Sequence, residues 1–243
     1  MTNSDILCCV YLAGKFPPVD IAFALSATGL SKEKIFKLMK DTLKSVADKY
    51  GTGSLRYSFI VFSNTSNLIV RFSEKYSTID ELKASVEALP SATGGVSFLE
   101  VIESAKEAFR DSGVRKGATH VLVILTDGTS GEDEVEIGEK AVYLEESEII
   151  VIPVGVGDEV DSNELGVLTS KEENVILIDE DEQPKRLMEL IIARVLGMTL
   201  KNFVSILNNC LAPLMLLCVG LSALDSGSRL SGLRLDRITV LCS

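Results

Sequence analysis

Cysteine is missing from the whole interior of this 243-residue chain, since none of its five lies between residues 10 and 209. Cys8 and Cys9 stand at one end and Cys210, Cys218 and Cys242 at the other, without a CxxC pair or a metal-ligand cluster. Structural zinc and dithiol redox chemistry therefore have no support. A bridge from Cys8 or Cys9 to Cys210 would tie the ends together in an oxidising compartment, but spacing alone leaves that open. Histidine is scarcer still. The single one, His120, opens an apolar run and reads as a structural residue rather than a general base. No Gly-x-Ser-x-Gly elbow, Walker loop or nucleophile beside a base occurs, so the sequence gives catalysis nothing to stand on. Gly155-Val156-Gly157 lacks the third glycine of a dinucleotide fingerprint, at Val160, and is followed by Asp158 and Glu159, which repel a pyrophosphate. Basic residues are also short: 24 Lys and Arg against 35 Asp and Glu leave a net charge of −11, which argues against nucleic acid or anionic lipid as a partner.

What is present is a globular composition, 46% hydrophobic and 24% charged, at a length that suits one domain with appendages. The expected organisation is a lead segment over 1–17, a domain over 18–197 and an apolar tail over 198–243. Residues 1–200 carry 20 basic and 33 acidic side chains, whereas 201–243 carry four and two, so the tail is a different kind of sequence. Its stretch 202–224 has no charge and is long enough to span a bilayer, with Arg229, Arg234 and Arg237 beyond it; Asn208, Asn209 and Pro213 favour instead an apolar tail that does not span. Residues 6–14 are apolar but follow Asp5 and lack a clear cleavage site, so they do not read as a standard signal peptide. Between residues 127 and 182 stand 19 acidic residues against Lys140 and Lys171. This sector reads as a solvated acidic surface, or as one that draws basic partners.

The hydrophobic period switches repeatedly between strand and helix, which predicts an α/β architecture. Strands are expected at 19–25, 55–62, 67–72, 118–125, 149–154 and 175–178. The link over 63–66 is too short for a crossover, so one of these strands must run antiparallel to its neighbour. Ser31 is placed to cap a helix whose buried face is Ile35, Leu38, Met39, Thr42 and Val46. Thr78 with Glu81, and Ser97 with Glu100, have capping-box spacing. Further helices are expected at 135–146, 162–169 and 184–196. Asn64-Thr65-Ser66 is a glycosylation sequon on the hairpin turn, relevant if the chain is secreted.

Ligands of open α/β sheets sit beyond the carboxyl ends of the strands. The loops there hold Ser26-Ala27-Thr28-Gly29 and Thr126-Asp127-Gly128-Thr129, and Gly94-Gly95-Val96-Ser97 precedes the helix leading into the fourth strand. Together with Val19-Asp20-Ile21-Ala22-Phe23-Ala24-Leu25, Val121-Leu122-Val123-Ile124-Leu125 and Ile152-Pro153-Val154-Gly155-Val156-Gly157, these loops resemble a von Willebrand factor type A domain over about residues 18–197. The style is similar to the A domains of type VI collagen and matrilins. The resemblance implies a Rossmann-like, doubly wound sheet of six strands, mostly parallel with one antiparallel edge strand and helices on both faces. It also implies protein binding at the top of that sheet.

Many members of that family hold a divalent cation at a metal-ion-dependent adhesion site, whose first loop reads Asp-x-Ser-x-Ser. This chain offers Ser26, Thr28 and Leu30 at those positions, Ser97 for the threonine of the second loop, and Asp127 for the aspartate of the third. The carboxylate and one hydroxyl are gone, which leaves Thr28, Ser97 and Asp127 as a degenerate set with no cofactor, or at most weak Mg²⁺ or Mn²⁺. Two of these have a plain structural use as well. Ser97 can cap its helix, and Asp127 can close an Asx-turn, with hydroxyls or backbone amides beside it if it is buried without a cation. The resemblance implies a non-catalytic adhesion module of an extracellular matrix or cell-surface protein, with collagen as one candidate partner. Two alternatives remain: a working cation-dependent adhesion domain, and a nucleotide-dependent hydrolase on a related sheet.

Overall fold

Seven consecutive buried residues, Val19–Leu25, form strand β1 at the centre of the computed structural model, which describes residues 18–195 apart from 27, 29–31, 75 and 92–93. A strand covered on both faces needs apolar side chains on both, so it reads as a run rather than an alternation. Asp20 interrupts that run. Its buried carboxylate accepts the Arg115 backbone N–H at 2.6 Å and Nε–H at 2.7 Å, while the same guanidinium donates to Val19 O at 2.8 Å and Ser54 O at 3.0 Å.

The chain continues through α1 (Lys32–Tyr50), β2 (Leu55–Phe62), β3 (Ser66–Val70), α2 (Ile79–Glu87), α3 (Phe98–Phe109), β4 (Thr119–Thr126), α4 (Glu134–Glu146) and β5 (Ile149–Val156). It closes with α5 (Ser162–Gly166), a 3₁₀ turn (Glu172–Asn174), β6 (Ile176–Ile178) and α6 (Pro184–Val195). The six strands lie in the order β3-β2-β1-β4-β5-β6, all parallel except β3, which pairs antiparallel with β2 at the edge. This is the doubly wound sheet expected from the sequence. Ala22 and Ala24 of β1 join Val101, Ile102 and Ala105 of α3 in one core cluster, their small side chains letting the helix come close. On the other face Phe23 lies near Phe59, ring centroids 6.4 Å apart and the rings tilted by 31°.

From β1 the chain winds outward to β2 and β3, then returns to the opposite side of β1 and winds outward again through β4, β5 and β6. The reversal falls between β1 and β4, so the crevice beyond their carboxyl ends is the switch point of the sheet. Leu25 lies beside Leu125 in the register, and the Ser26 N–H donates to Leu125 O at 2.8 Å. Both loops of interest therefore leave the sheet at one level.

Element boundaries differ from expectation by up to three residues, and two of the differences bear on the packing. The third strand ends at Val70 rather than at 72, because Phe72 turns out of the sheet and buries its ring 5.3 Å from that of Phe109. Gly113 permits this turn, since a Cβ there would lie 2.2 Å from the Phe72 carbonyl carbon. The helix expected over 162–169 stops at Gly166. The lead segment 1–17, residues 196–197, the apolar run 202–224 and Cys8, Cys9 and Cys210 lie outside the described residues. Among those described, no helix is long and apolar enough to cross a membrane.

Candidate functional site

The three polar loops singled out in the sequence converge above β1 and β4. A Cβ placed on Gly128 would lie 3.7 Å from Val96 Cγ2 of the second loop and 3.9 Å from Thr28 Oγ1 of the first. Asp127, 2% exposed, accepts the Thr28 backbone N–H on Oδ1 at 2.8 Å, which ties the first loop to the third. That bond meets the expectation that a buried carboxylate takes amide donors. Thr126 Oγ1 accepts the Gly128 N–H at 3.3 Å and donates to Gly128 O at 3.2 Å, so the chain turns sharply after the carboxylate. Ser26, also fully buried, lies at the start of the first loop, and its Oγ finds no hydrogen-bond partner among the described residues. Leu30 and Ser31 lie outside them.

Ser97 has its hydroxyl engaged on both sides. Its Oγ accepts the Glu100 N–H at 3.2 Å, as an N-cap should, and donates to Glu132 Oε1 at 2.5 Å. Glu132 Oε2 also accepts the Phe98 and Leu99 N–H groups at 2.7 and 3.2 Å. The Ser97 half of the expected capping box forms, and Glu132 of the third loop, not Glu100, takes the next two amides of the helix. Glu100 Oε2 lies instead 3.4 Å from Ser66 Oγ. A carboxylate arriving from outside the helix satisfies two orphan amides together and sits favourably at the positive end of the helix dipole, which Glu100 within the first turn cannot match. By contrast, Thr78 and Glu81 form the complete reciprocal pair at the start of α2.

Glu164 holds the third loop from the other side. It is 5% exposed on α5 and accepts the Ser130 N–H and Gly131 N–H, each at 3.1 Å, and the Ser130 hydroxyl. Sequence reasoning missed both Glu132 and Glu164, which stood in the acidic sector as surface charges. The second loop is fixed by Asn64, whose Oδ1 accepts the Gly95 N–H at 3.0 Å. That approach requires the glycine pair: Gly94 has φ +108°, and a Cβ on Gly95 would lie 2.6 Å from Asn64 Oδ1.

The loops therefore present one buried carboxylate and the hydroxyls of Ser26, Thr28 and Ser97 as candidate donors. Asp127 already receives an amide, and Ser97 is held between Glu132 and the helix end. A hard divalent cation takes near-octahedral oxygen ligands, usually with one or two carboxylates among them, and against that requirement these loops supply the single buried carboxylate of Asp127. Among the described residues no group of three or more His, Cys, Asp or Glu side chains is arranged to hold a metal ion. His120 lies at the opposite end of β4, its ring 5.7 Å from that of Phe109 and its Nε2 3.3 Å from Arg115 O. Gly155 is needed for packing, since a Cβ there would lie 2.8 Å from Val160 and 2.9 Å from Leu165, and Gly157 has φ +85°. Their spacing answers to the fold rather than to a dinucleotide.

Comparison with known proteins gives a consistent pattern. The family model of the von Willebrand factor type A domain matches residues 20–190. Mouse integrin alpha-X is 30% identical over 141 residues, 57% of this chain and 12% of that protein. The human collagen alpha-6(VI) chain is 25% identical over 186 residues, 73% of this chain and 8% of that protein. The chain thus spans a small part of these relatives' length. Among solved structures, proximal thread matrix protein 1 of the mussel byssus superposes with a TM-score of 0.64 at 19% identity, over 74% of this chain and 46% of that one. A second structure of that protein has a zinc-occupied site at the motif, and shares 22% identity with a TM-score of 0.63 over the same shares of the two chains.

Proposed function

The chain belongs to the von Willebrand factor type A domain family, and from that premise we propose that it is a non-catalytic protein-binding module of an extracellular matrix or cell-surface protein. Ligand contact falls on the loops after β1 and β4 and the Gly94–Gly95 loop, and binding proceeds without a resident divalent cation. Its integrin and collagen relatives support an adhesion role, with collagen as one candidate ligand. One observation carries the metal-independent part. The Ser97 hydroxyl, one of the three donors that match the family's site, is engaged by Glu132 and by the Glu100 amide, and Oδ1 of a second, Asp127, is taken by the Thr28 amide. Glu132 and Glu164 hold the third loop in place, which spares a ligand the entropy of ordering it.

A solid-phase adhesion assay tests this reading. The full chain is applied to immobilised matrix proteins, collagens among them, with Mg²⁺ or with a chelator in excess. Equal binding in both conditions, lost when Thr129→Arg crowds the top of the third loop, is the expected result. Binding that disappears with the chelator would transfer the site to the cation-dependent class.

A further inference from the structure

A second surface runs along the flank of helix α4, which leads away from the third loop at its start. Helix α4 carries two large apolar side chains in solvent, Val135 at 68% exposure and Val142 at 49%. They are seven residues apart, so they share a face, with Gly138 between them. A Cβ on Gly138 would meet nothing within 4 Å, so the gap between the valines is open. Beside this stripe runs a groove of about 320 Å³ between α4 and the segment following α5, with Ala141, Val142, Val167 and Leu168 among its walls. Two adjoining features, an exposed apolar ridge and an apolar furrow, exceed the scattered single exposures that a surface ordinarily shows.

The charge around it selects the occupant. Glu134, Glu139, Glu145, Glu146, Glu148 and Glu172 are all exposed in this region, and Glu145 and Glu148 line the groove itself. The two basic residues of the sector do not balance them: Lys140 lies 3.7 Å from Glu103, and Lys171 lines the groove with Glu145 and Glu148. A second copy of the chain would bring like charges together, and an anionic membrane would be repelled. The neighbouring strand edge is also partly closed, because Asn174 Nδ2 donates to Val151 O at 3.2 Å. A backbone-pairing strand is thereby disfavoured against side chains that fill the furrow.

We propose that the α4 flank is a docking surface for a basic amphipathic helix of a partner protein, its apolar face laid over Val135, Gly138 and Val142 and its cationic rim facing the surrounding glutamates. Helix-in-groove recognition of this type draws affinity from the apolar face and register from the charges. The surface has its groove at the far end of α4 from the top loops, and its test reads peptide binding rather than adhesion, so each proposal can fail without the other.

The test titrates the full chain into a fluorescently labelled, helix-forming peptide with leucine along one face and lysine along the other, followed by anisotropy. Saturable binding is expected, weakened at least about tenfold by Val142→Asp and less strongly by Glu145→Gln. Because Val142 is exposed, the melting temperature of the Val142→Asp chain should match the parent, which separates lost docking from lost folding. Equal binding of a control peptide with serine in place of leucine, indifference to Val142→Asp, or concentration-dependent self-association that buries this face would each overturn the proposal.

Discussion

Replacing Glu132 by alanine removes the group that joins the third loop to α3. Three donors lose their partner together: the Phe98 N–H at 2.7 Å, the Leu99 N–H at 3.2 Å and the Ser97 hydroxyl at 2.5 Å. Counted as isolated charge-assisted bonds they would suggest a very large loss. Glu132 is only half-buried, however, so water re-solvates much of what is exposed. The measured scale for losing a helix N-cap, about 1–2 kcal/mol, is the better guide. For a domain of this size that lowers the melting temperature by roughly 2–8 °C. Thermal and urea denaturation of the full chain, followed by circular dichroism, reads the change directly. A double-mutant cycle with Ser97→Ala should give a coupling of about 1 kcal/mol, because each side chain is the other's partner. Unchanged melting in Glu132→Ala, or strict additivity in the cycle, would refute the claim that Glu132 occupies the Ser97 hydroxyl.

Other perturbations probe separate parts of the structure. Arg115→Ala leaves the fully buried Asp20 carboxylate without its counter-charge and should cost about 3–5 kcal/mol in urea unfolding, where an exposed arginine would cost almost nothing. Gly113→Ala puts a methyl group where the Phe72 backbone already lies, and about 1–3 kcal/mol of destabilisation is expected; a neutral result would mean the turn at Phe72 is misplaced. On α1, burial pushes the Asp41 carboxyl up, but Lys37 and Lys44 outweigh it and hold it below its ordinary value. Lys44 likewise holds Glu87 down. Carboxyls with lowered folded-state values stabilise above the ordinary carboxylate range and lose that contribution as pH falls through the folded value. The difference in melting temperature between the parent and Asp41→Asn should therefore shrink toward zero on acidification, and a difference that persists would contradict the pairing.

The strands followed from local signals, whereas their doubly wound arrangement came with the family resemblance. β1 and β4 were legible because strands covered on both faces must be apolar throughout, and the short link after Phe62 forced the hairpin. The end of β3 was not legible, because an edge strand carries a weaker pattern and the departure of Phe72 depends on Gly113, which no local rule connects with it. The site divided in the same way. Thr28, Ser97 and Asp127 could be named because each stands in a motif at the end of a strand or the start of a helix. The roles of Glu132 and Glu164 rest on hydrogen bonds between residues 33 to 35 apart, Asp20 and Arg115 meet across 95, and nothing in their immediate surroundings marks them out from the solvated acids and bases nearby.

Calorimetric titration of the full chain with Mn²⁺, beside the double variant Ser26→Asp with Leu30→Ser, bears most directly on whether the top loops bind without a metal. The parent should release no heat of saturable micromolar binding, and restoring the first-loop carboxylate and hydroxyl should create measurable affinity. Tight binding by the parent that vanishes in Asp127→Ala would contradict the account.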